Sequence, residues 1–227
     1  PKVTFDNCNN VFAQSLKSAV EQYFRGQQLK KTGNWKLYIK TIVLIVAAML
    51  LYTFLLFFQY PAIIGIVFSI FLGFILSCIG FNVMHDACHG SYSSKKWVNE
   101  FWGLSLNALG GNAYIWKLKH NIIHHTYPNV DGVDDDIAKS PLLRQAPTQK
   151  WLPMHRYQHI YIALVYTITS IAWSYIIDFV KYFRKKVYTT ALKPMNAKEH
   201  IIFWSSKILT LAFYVAIPIL LLGWQAW

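Results

Sequence analysis

The sequence has few charged residues, and acidic residues are the scarcest of them. Only 14% of its 227 residues are charged, and 22 Lys and Arg face 10 Asp and Glu. So little charge beside 55% hydrophobic residues argues against an ordinary soluble domain. The basic excess could indicate nucleic-acid binding, but Lys and Arg flank apolar runs and form no stripes interleaved with exposed aromatic residues. We therefore expect a lipid bilayer, and no nucleic acid, as the partner.

Cysteine is also scarce, and the three scattered cysteines do not form a disulfide framework. Cys8 lies in the N-terminal arm, Cys78 lies in an apolar run, and Cys88 lies between two histidines, where we expect a small packing residue. Residues 1–40 lack the continuous apolar stretch of a signal peptide. The sequence contains no Gly-rich nucleotide-binding loop and no haem-binding domain, so electrons for any redox chemistry must come from another protein.

Long uncharged runs fill much of the remaining chain. Residues 41–58 and 62–81 are each about as long as a membrane span, and a tight turn that includes Pro61 separates them. Basic residues precede the first run and follow the second, so the positive-inside rule predicts a hairpin whose turn lies outside. Residues 201–222 form a further span that leads outward. The predicted fold class is an all-α integral membrane protein, with transmembrane helical hairpins and a cytoplasmic, histidine-bearing helical cap.

Another apolar run, residues 160–180, contains several Thr and Ser residues and precedes a strongly basic loop. Because this loop and the histidine-bearing segment 84–159 should share the cytoplasmic side, we predict an in-plane or partly embedded helix rather than a crossing. Lys207 lies about two turns inside the last span, where we expect it to snorkel to the surface. Residues 1–40 form a cytoplasmic arm with one amphipathic helix, and residues 41–227 form the membrane domain.

Five histidines fall into two clusters on the predicted cytoplasmic side. His85 and His89 are spaced i, i+4, as are His120 and His124, and His125 should point about 100° around the helix from His124. Clustered imidazoles favour a Zn, Cu, Fe or Ni site. Five nitrogen ligands exceed the three or four of one zinc site, so we predict a two-metal centre. Neither cluster has the Glu that acts as general base in HExxH hydrolases.

Other polar residues near these clusters have weaker assignments. Asp86 is expected to hydrogen-bond a ligand imidazole and fix its tautomer. The three aspartates at 134–136 are expected to form a solvated turn that caps the next helix. His155 and His159 repeat the i, i+4 spacing, and they could be ligands, supports for ligands, or simply polar residues at the membrane interface, which we favour.

The two boxes, HDACH at 85–89 and HNIIHH at 120–125, resemble the HxxxH and HxxHH boxes of the membrane fatty-acid desaturase family. The surrounding "NALGGNAYIWKLKHNIIHHTYPNVDGVDDDI" and "HRYQHIY" are similar to bacterial desaturases of the linoleoyl-CoA, front-end-like branch, and the resemblance runs from "KKTGNW" to Trp227. It implies an all-histidine di-iron centre on the cytoplasmic side of a bacterial inner membrane. The implied ligands and catalytic residues are His85, His89, His120, His124 and His125.

The resemblance also implies a reaction. Dioxygen would be the co-substrate, an acyl-CoA or acyl-lipid chain would gain a double bond, and a ferredoxin or cytochrome-type protein would donate electrons. Arg144, Lys150 and Arg156 are candidate partners for the substrate headgroup. The family's third box, HxxHH or QxxHH, has no counterpart before Trp227. We therefore expect this sequence to be a piece of a longer enzyme, inactive by itself because its iron ligands are incomplete.

Two alternatives remain open at this point. A related membrane di-iron hydroxylase, ketolase or alkane monooxygenase would share the histidine boxes and transfer oxygen to its substrate. A non-enzymatic membrane protein could hold zinc, or nothing, with the same histidines.

Overall fold

The computed structural model describes residues 10–137 and 141–225, so Cys8 and Trp227 lie outside the described residues. The helices are α1 (Val11–Gly26), α2 (Trp35–Phe57), α3 (Ala62–Ile79), α4 (His85–Cys88), α5 (Lys96–Gly103), α6 (Ser105–Ala108), α7 (Ala113–Lys117), α8 (Gln158–Ala172), α9 (Asp178–Arg184), α10 (Ala197–Leu211) and α11 (Ile217–Leu222). Turns of π-helix occupy Gly80–Met84, Leu118–His124, Trp173–Ile177 and Ala212–Ala216, and a 3₁₀ helix occupies Pro153–Tyr157. Strands β1 (Lys186–Val187) and β2 (Thr190–Ala191) form an antiparallel hairpin in which Lys186 pairs with Ala191.

Four continuous helices of the described chain are long and apolar enough to cross a membrane: Trp35–Phe57, Ala62–Cys88, Pro153–Arg184 and Ala197–Leu222. Few of their side chains are buried by protein; in the most apolar window of Pro153–Arg184 the buried share is 0%. A helix that is apolar on all sides and yet uncovered by protein is suited to lipid. The structure thus confirms the predicted all-α membrane fold.

The first two of these helices form the predicted hairpin. Asn34 caps α2 by accepting a hydrogen bond from the backbone N–H of Lys36. The chain leaves α2 after Phe57, and the carbonyl of Pro61 then accepts from the N–H of Ile64 at the start of α3. The amphipathic helix predicted in the arm is α1, which contains no buried residue.

The run predicted to lie in the membrane plane belongs to the 32-residue helix Pro153–Arg184. Near its start, the side chain of Gln158 accepts a hydrogen bond from the backbone N–H of Arg144, and near its end Lys181 bonds Asp135. Both ends therefore contact the polar segment that follows the second histidine box. The length and composition of the helix also suit a crossing, so the in-plane orientation stays a prediction.

The prediction that Lys207 snorkels to the membrane surface is wrong. Its side chain is buried, and its ammonium donates to the carbonyls of Gly110 (2.6 Å) and Ser174 (2.8 Å) and to the carboxylate of Asp178 (3.0 Å). A buried ammonium is tolerated when oxygen acceptors replace its hydration shell. Lys207 therefore joins helix α10 to α9 and to the loop after α6.

Candidate metal centre

The first histidine pair lies where a long apolar helix changes its winding. The π turn Gly80–Met84 ends with the N–H of His85 donating to the carbonyl of Gly80, five residues back. The following short α4 places His89 one turn beyond His85, and the centroids of the two rings are 4.5 Å apart. Turns of π-helix occur mostly as single turns inside α-helices and often at functional sites.

The second cluster lies in another π turn, Leu118–His124, in which the N–H of His125 donates to the carbonyl of His120. This i→i+5 bond brings residues five apart into register, so His125 returns to the side of His120. The Nε2 atoms of these two histidines are 3.3 Å apart. The expectation that His125 points away around the helix is therefore wrong, because it assumed α-helical winding.

The two clusters meet. The Nε2 atoms of His85 and His120 are 3.2 Å apart, and the ring of His89 lies 4.8 Å from that of His125, centroid to centroid. The ring of His124 stacks at 5.3 Å on that of His120. The structure thus brings all five predicted ligands together.

The nitrogen spacing provides a test of metal fit. With metal–nitrogen bonds of about 2.0–2.1 Å, two ligands of one tetrahedral ion lie about 3.3 Å apart. The Nε2 atom of His120 is 3.2 Å from that of His85 and 3.3 Å from that of His125. Neutral imidazole nitrogens that face each other at this distance repel one another unless a proton or a cation lies between them. The donor set therefore fits a transition-metal ion.

The prediction that the aspartates at 134–136 form a solvated turn is wrong. Asp134 is fully buried, and its carboxylate accepts hydrogen bonds from the backbone N–H groups of Asn129 and Asp136. It also lies 2.9 Å from Nδ1 of His124. One carboxylate oxygen of Asp136 lies 3.4 Å from Nδ1 of His124 and 3.5 Å from Nδ1 of His120. The turn folds back onto the histidines instead of capping a helix.

These contacts have a direct chemical meaning. An imidazole whose Nδ1–H donates to a carboxylate has a fixed tautomer and presents the lone pair of Nε2 to a metal. Asp86, which we expected in this role, lies with its carboxylate 3.7 Å from Nδ1 of His85, beyond ordinary hydrogen-bond distance, so its role stays a prediction. The sequence feature that could have indicated this role is the position of the acidic turn shortly after the second box, with a glycine between them. In the structure this residue, Gly132, has a φ of +82°, where the chain reverses.

Ionisation at the centre favours cation binding. Burial lowers the pKa of His120 to about 4, which leaves its imidazole neutral near pH 7. Burial alone would raise the pKa of Asp134, but the N–H groups of Asp136 and Asn129 and the imidazole of His124 hold it below its ordinary value. The pKa of Asp136 is likewise lowered, against the effect of burial, by the ammonium of Lys119. The neutral imidazole of His120 therefore lies beside the charged carboxylate of Asp136.

Trp116 forms one wall of the centre. Its ring stacks on that of His120 with centroids 4.3 Å apart and meets the rings of His85 and His89 edge-on at 5.8 and 6.0 Å. Trp116 belongs to a buried cluster that also contains Cys88, whose expected packing role fits its burial. This wall orients the imidazoles and keeps water from one side of them.

The weaker site candidates either bond backbone groups elsewhere or are exposed. The guanidinium of Arg144 donates to the carbonyls of Gln149 and Pro147, and Lys150 and Arg156 are exposed. Both ring nitrogens of His155 bond backbone groups, the N–H of Leu152 and the carbonyl of Pro141, and His159 is exposed. His155 therefore supports the start of the 3₁₀ helix.

An apolar cavity of about 520 Å³ lies between α2, α3, α6 and helix Ala197–Leu222. Its walls include Met49, Tyr52, Leu72, Leu76, Leu209 and Phe213. Asn107 and Ala108 of α6 also line it, whereas their neighbour Leu106 packs in the buried cluster beneath the histidines. Helix α6 therefore contributes side chains both to the cavity and to the buried cluster that contains Trp116.

Fold and site together define a membrane protein with a histidine-rich centre suited to metal. The chain belongs to the fatty acid desaturase family, because the family model "Fatty acid desaturase" matches residues 61–227. No solved structure matches the chain.

Curated relatives include several desaturases. The sn-1 linoleoyl-lipid 6-desaturase of Arthrospira platensis is 36% identical over 173 residues, which are 76% of this chain and 47% of that protein. The acyl-lipid (8-3)-desaturase of Physcomitrium patens is 29% identical over 91% of this chain and 43% of its own length. The sn-1 linoleoyl-lipid 6-desaturase of Synechocystis is 27% identical over 92% of this chain and 58% of its own length. The chain thus spans about half the length of these relatives.

Proposed function

We propose that this chain carries part of the catalytic centre of an oxygen-dependent fatty-acyl desaturase. The observation that carries the proposal is the approach of three Nε2 atoms from two separate helical segments, at 3.2 and 3.3 Å. A metal ion bound by both His85 and His120 would account for this approach, because the distance between their Nε2 atoms matches that between two ligands of one ion. Membership of the desaturase family supports iron as that cation.

The proposed ligands are the five box histidines, shared between two iron ions. When bound, the iron would supply the activation of dioxygen that removal of hydrogen from a methylene group requires. Asp134 keeps the proton of His124 on Nδ1, and Asp136 places its negative charge 3.5 Å from Nδ1 of His120. Trp116 and the cluster around it exclude water from the buried side of the imidazoles.

The overall reaction requires an external electron donor. Two C–H bonds of adjacent methylenes supply two electrons and two protons, and the donor supplies two further electrons with two protons from solvent. Together these reduce one dioxygen to two waters and leave one carbon–carbon double bond. A ferredoxin or cytochrome-type protein is the donor that we propose.

The proposed substrate is the acyl chain of a lipid. The matched relatives from Arthrospira and Physcomitrium are named linoleoyl-lipid and acyl-lipid desaturases. The 520 Å³ cavity has the size and apolar lining of a site for part of such a chain, and it opens among helices suited to lipid. We place the histidines on the cytoplasmic side, with helix Pro153–Arg184 in or near the membrane plane, because both its ends contact the polar segment around Asp135 and Arg144.

The experiment is product analysis with a full-length protein that contains this chain, in lipid nanodiscs supplied with iron, dioxygen, a reduced ferredoxin and lipids with acyl chains of known unsaturation. We expect an added double bond by mass spectrometry, its loss in His120→Ala, and its retention in His159→Ala. His159 is the matched control because it has the same i, i+4 spacing, relative to His155, but is exposed and belongs to neither histidine box. A hydroxylated product would support a hydroxylase instead, and a protein that holds no iron would refute the proposal.

A further inference from the structure

Two buried Lys–Asp pairs involve neighbouring turns of α9. Asp178 accepts from Lys207 at 3.0 Å, and three residues later Lys181 donates to Asp135 at 2.7 Å. In both pairs the side chains are at most 10% exposed. The pairs are alike in chemistry and burial, but they face different parts of the protein.

The Asp178–Lys207 pair joins α9 to α10, and its other described hydrogen bonds go to Trp173, Gly110 and Ser174, outside the acidic turn. The Lys181–Asp135 pair instead fastens α9 to the turn that contains Asp134 and Asp136. Asp135 thus contacts α9, while the carboxylates on either side of it face Nδ1 of His124 and His120. One short turn therefore connects a buried ammonium to two candidate ligands.

Apolar packing holds the same turn from another direction. Val133 precedes the three aspartates, and it packs against the buried cluster that contains Ile123 from the π turn. Phe179 and Tyr182, which flank Lys181 on α9, pack against that cluster too. Packing sets the distance of the turn from α9. The buried ion pair fixes the orientation of the turn relative to α9, because its hydrogen bond tolerates little misalignment.

We propose that Lys181 and Asp135 are positioning residues of the metal centre. By holding Asp135, Lys181 fixes the turn in the orientation in which Asp134 and Asp136 support His124 and His120. This inference rests on the proposed function in requiring a bound metal, but it assigns a role to a residue far from the histidine boxes in sequence. Loss of a carboxylate that supports a ligand histidine typically lowers metal affinity roughly 10- to 100-fold. Removal of Lys181 should lower metal affinity by a factor in that range, because it frees the turn that carries both supporting carboxylates.

The test uses the intact protein in detergent, with Co²⁺ alone as a spectroscopic probe. We compare Lys181→Met with Lys207→Met, since both variants break a buried pair with α9 but only the first pair touches the acidic turn. Lys181→Met should weaken Co²⁺ binding roughly 10- to 100-fold and change the ligand-field spectrum. Lys207→Met should lower the melting temperature. The folded variant should nevertheless bind Co²⁺ with nearly the affinity and the ligand-field spectrum of the parent protein.

A reciprocal exchange covers the case in which Lys181→Met does not fold. The double variant Lys181→Asp with Asp135→Lys retains an ion pair between α9 and the turn, so it should restore Co²⁺ affinity relative to Asp135→Asn. Parent-like affinity and spectrum in both Lys181→Met and Asp135→Asn would overturn the inference while the proposed function stood. Equal spectral changes in Lys181→Met and Lys207→Met would also overturn it. A parent protein that binds neither Co²⁺ nor iron would refute the proposed function, and the inference with it.

Discussion

Asp134→Asn is the substitution that most directly tests the metal centre. The carboxylate is fully buried; one oxygen accepts from the N–H of Asn129 and lies against His124, and the other accepts from the N–H of Asp136. An amide of the same shape has only one acceptor oxygen. Whichever way Asn is oriented, its NH₂ group meets at least one N–H donor, and that buried donor is left without an acceptor.

The expected magnitude follows from these contacts. One unsatisfied buried donor costs about 1–3 kcal/mol, and loss of the charge roughly halves the strength of the remaining hydrogen bonds. We expect the free energy of unfolding to fall by about 2–4 kcal/mol in total. Because His124 loses the carboxylate that fixes its tautomer, metal affinity should fall roughly 10- to 100-fold.

The assay combines thermal unfolding with Co²⁺ titration of the intact protein, and Asp131→Asn is the control. Asp131 belongs to the same turn region and also carries hydrogen bonds, from Thr148 and Gln149, but it is exposed. Asp131→Asn should change metal affinity by less than about twofold, since its contacts involve no histidine. If Asp134→Asn bound Co²⁺ as tightly as Asp131→Asn, the carboxylate would not support the ligand, and this reasoning would be refuted.

Three further predictions concern stability and substrate. Lys207→Met should lower the free energy of unfolding by about 3–5 kcal/mol, because it removes the cation that is paired with the buried carboxyl group of Asp178. The double variant with Asp178→Leu should recover most of the loss; chemical denaturation measures both, and no recovery would contradict the pairing. Removal of iron by a chelator should lower the melting temperature, because a metal at 100 times its dissociation constant stabilises the native state by about 2.7 kcal/mol; an unchanged melting temperature would argue against a resident metal. Leu76→Trp should fill part of the 520 Å³ cavity and reduce activity on long acyl chains more than on short ones, by product analysis; equal loss on both would place the acyl chain elsewhere.

The membrane helices could be predicted because lipid imposes a simple rule on composition. The predicted span 62–81 corresponds to the apolar part of helix Ala62–Cys88. The observed helix runs past the apolar part, since its backbone bonds continue through the π turn up to His85 and the residues after it. Hydropathy locates the segment in lipid, but it does not show where the helix ends.

The supporting residues of the site could not be predicted in the same way, because their partners are distant in the sequence. Asp135 meets Lys181 across 46 residues, and Lys207 meets Gly110 across 97. A triplet of aspartates after a glycine is typical of a solvated turn, and a lysine near a span end is typical of snorkelling. Only the tertiary fold shows that both are buried and paired.

The position of His125 shows why motif spacing alone does not determine ligand geometry. In an α-helix, residues four apart share a face, so the spacing of His120, His124 and His125 would present the first two histidines together and turn the third aside. In the π turn Leu118–His124 the bond spans five residues, and His120 then faces His125 at 3.3 Å, while its ring still stacks on that of His124. The wider winding lets one short segment direct three imidazoles toward a common region. A π turn is rare, and a metal that binds all three histidines would favour it over the α-helical alternative. The π turn thus brings the three imidazoles close enough to share a metal site, and a metal bound there would in turn stabilise the π turn.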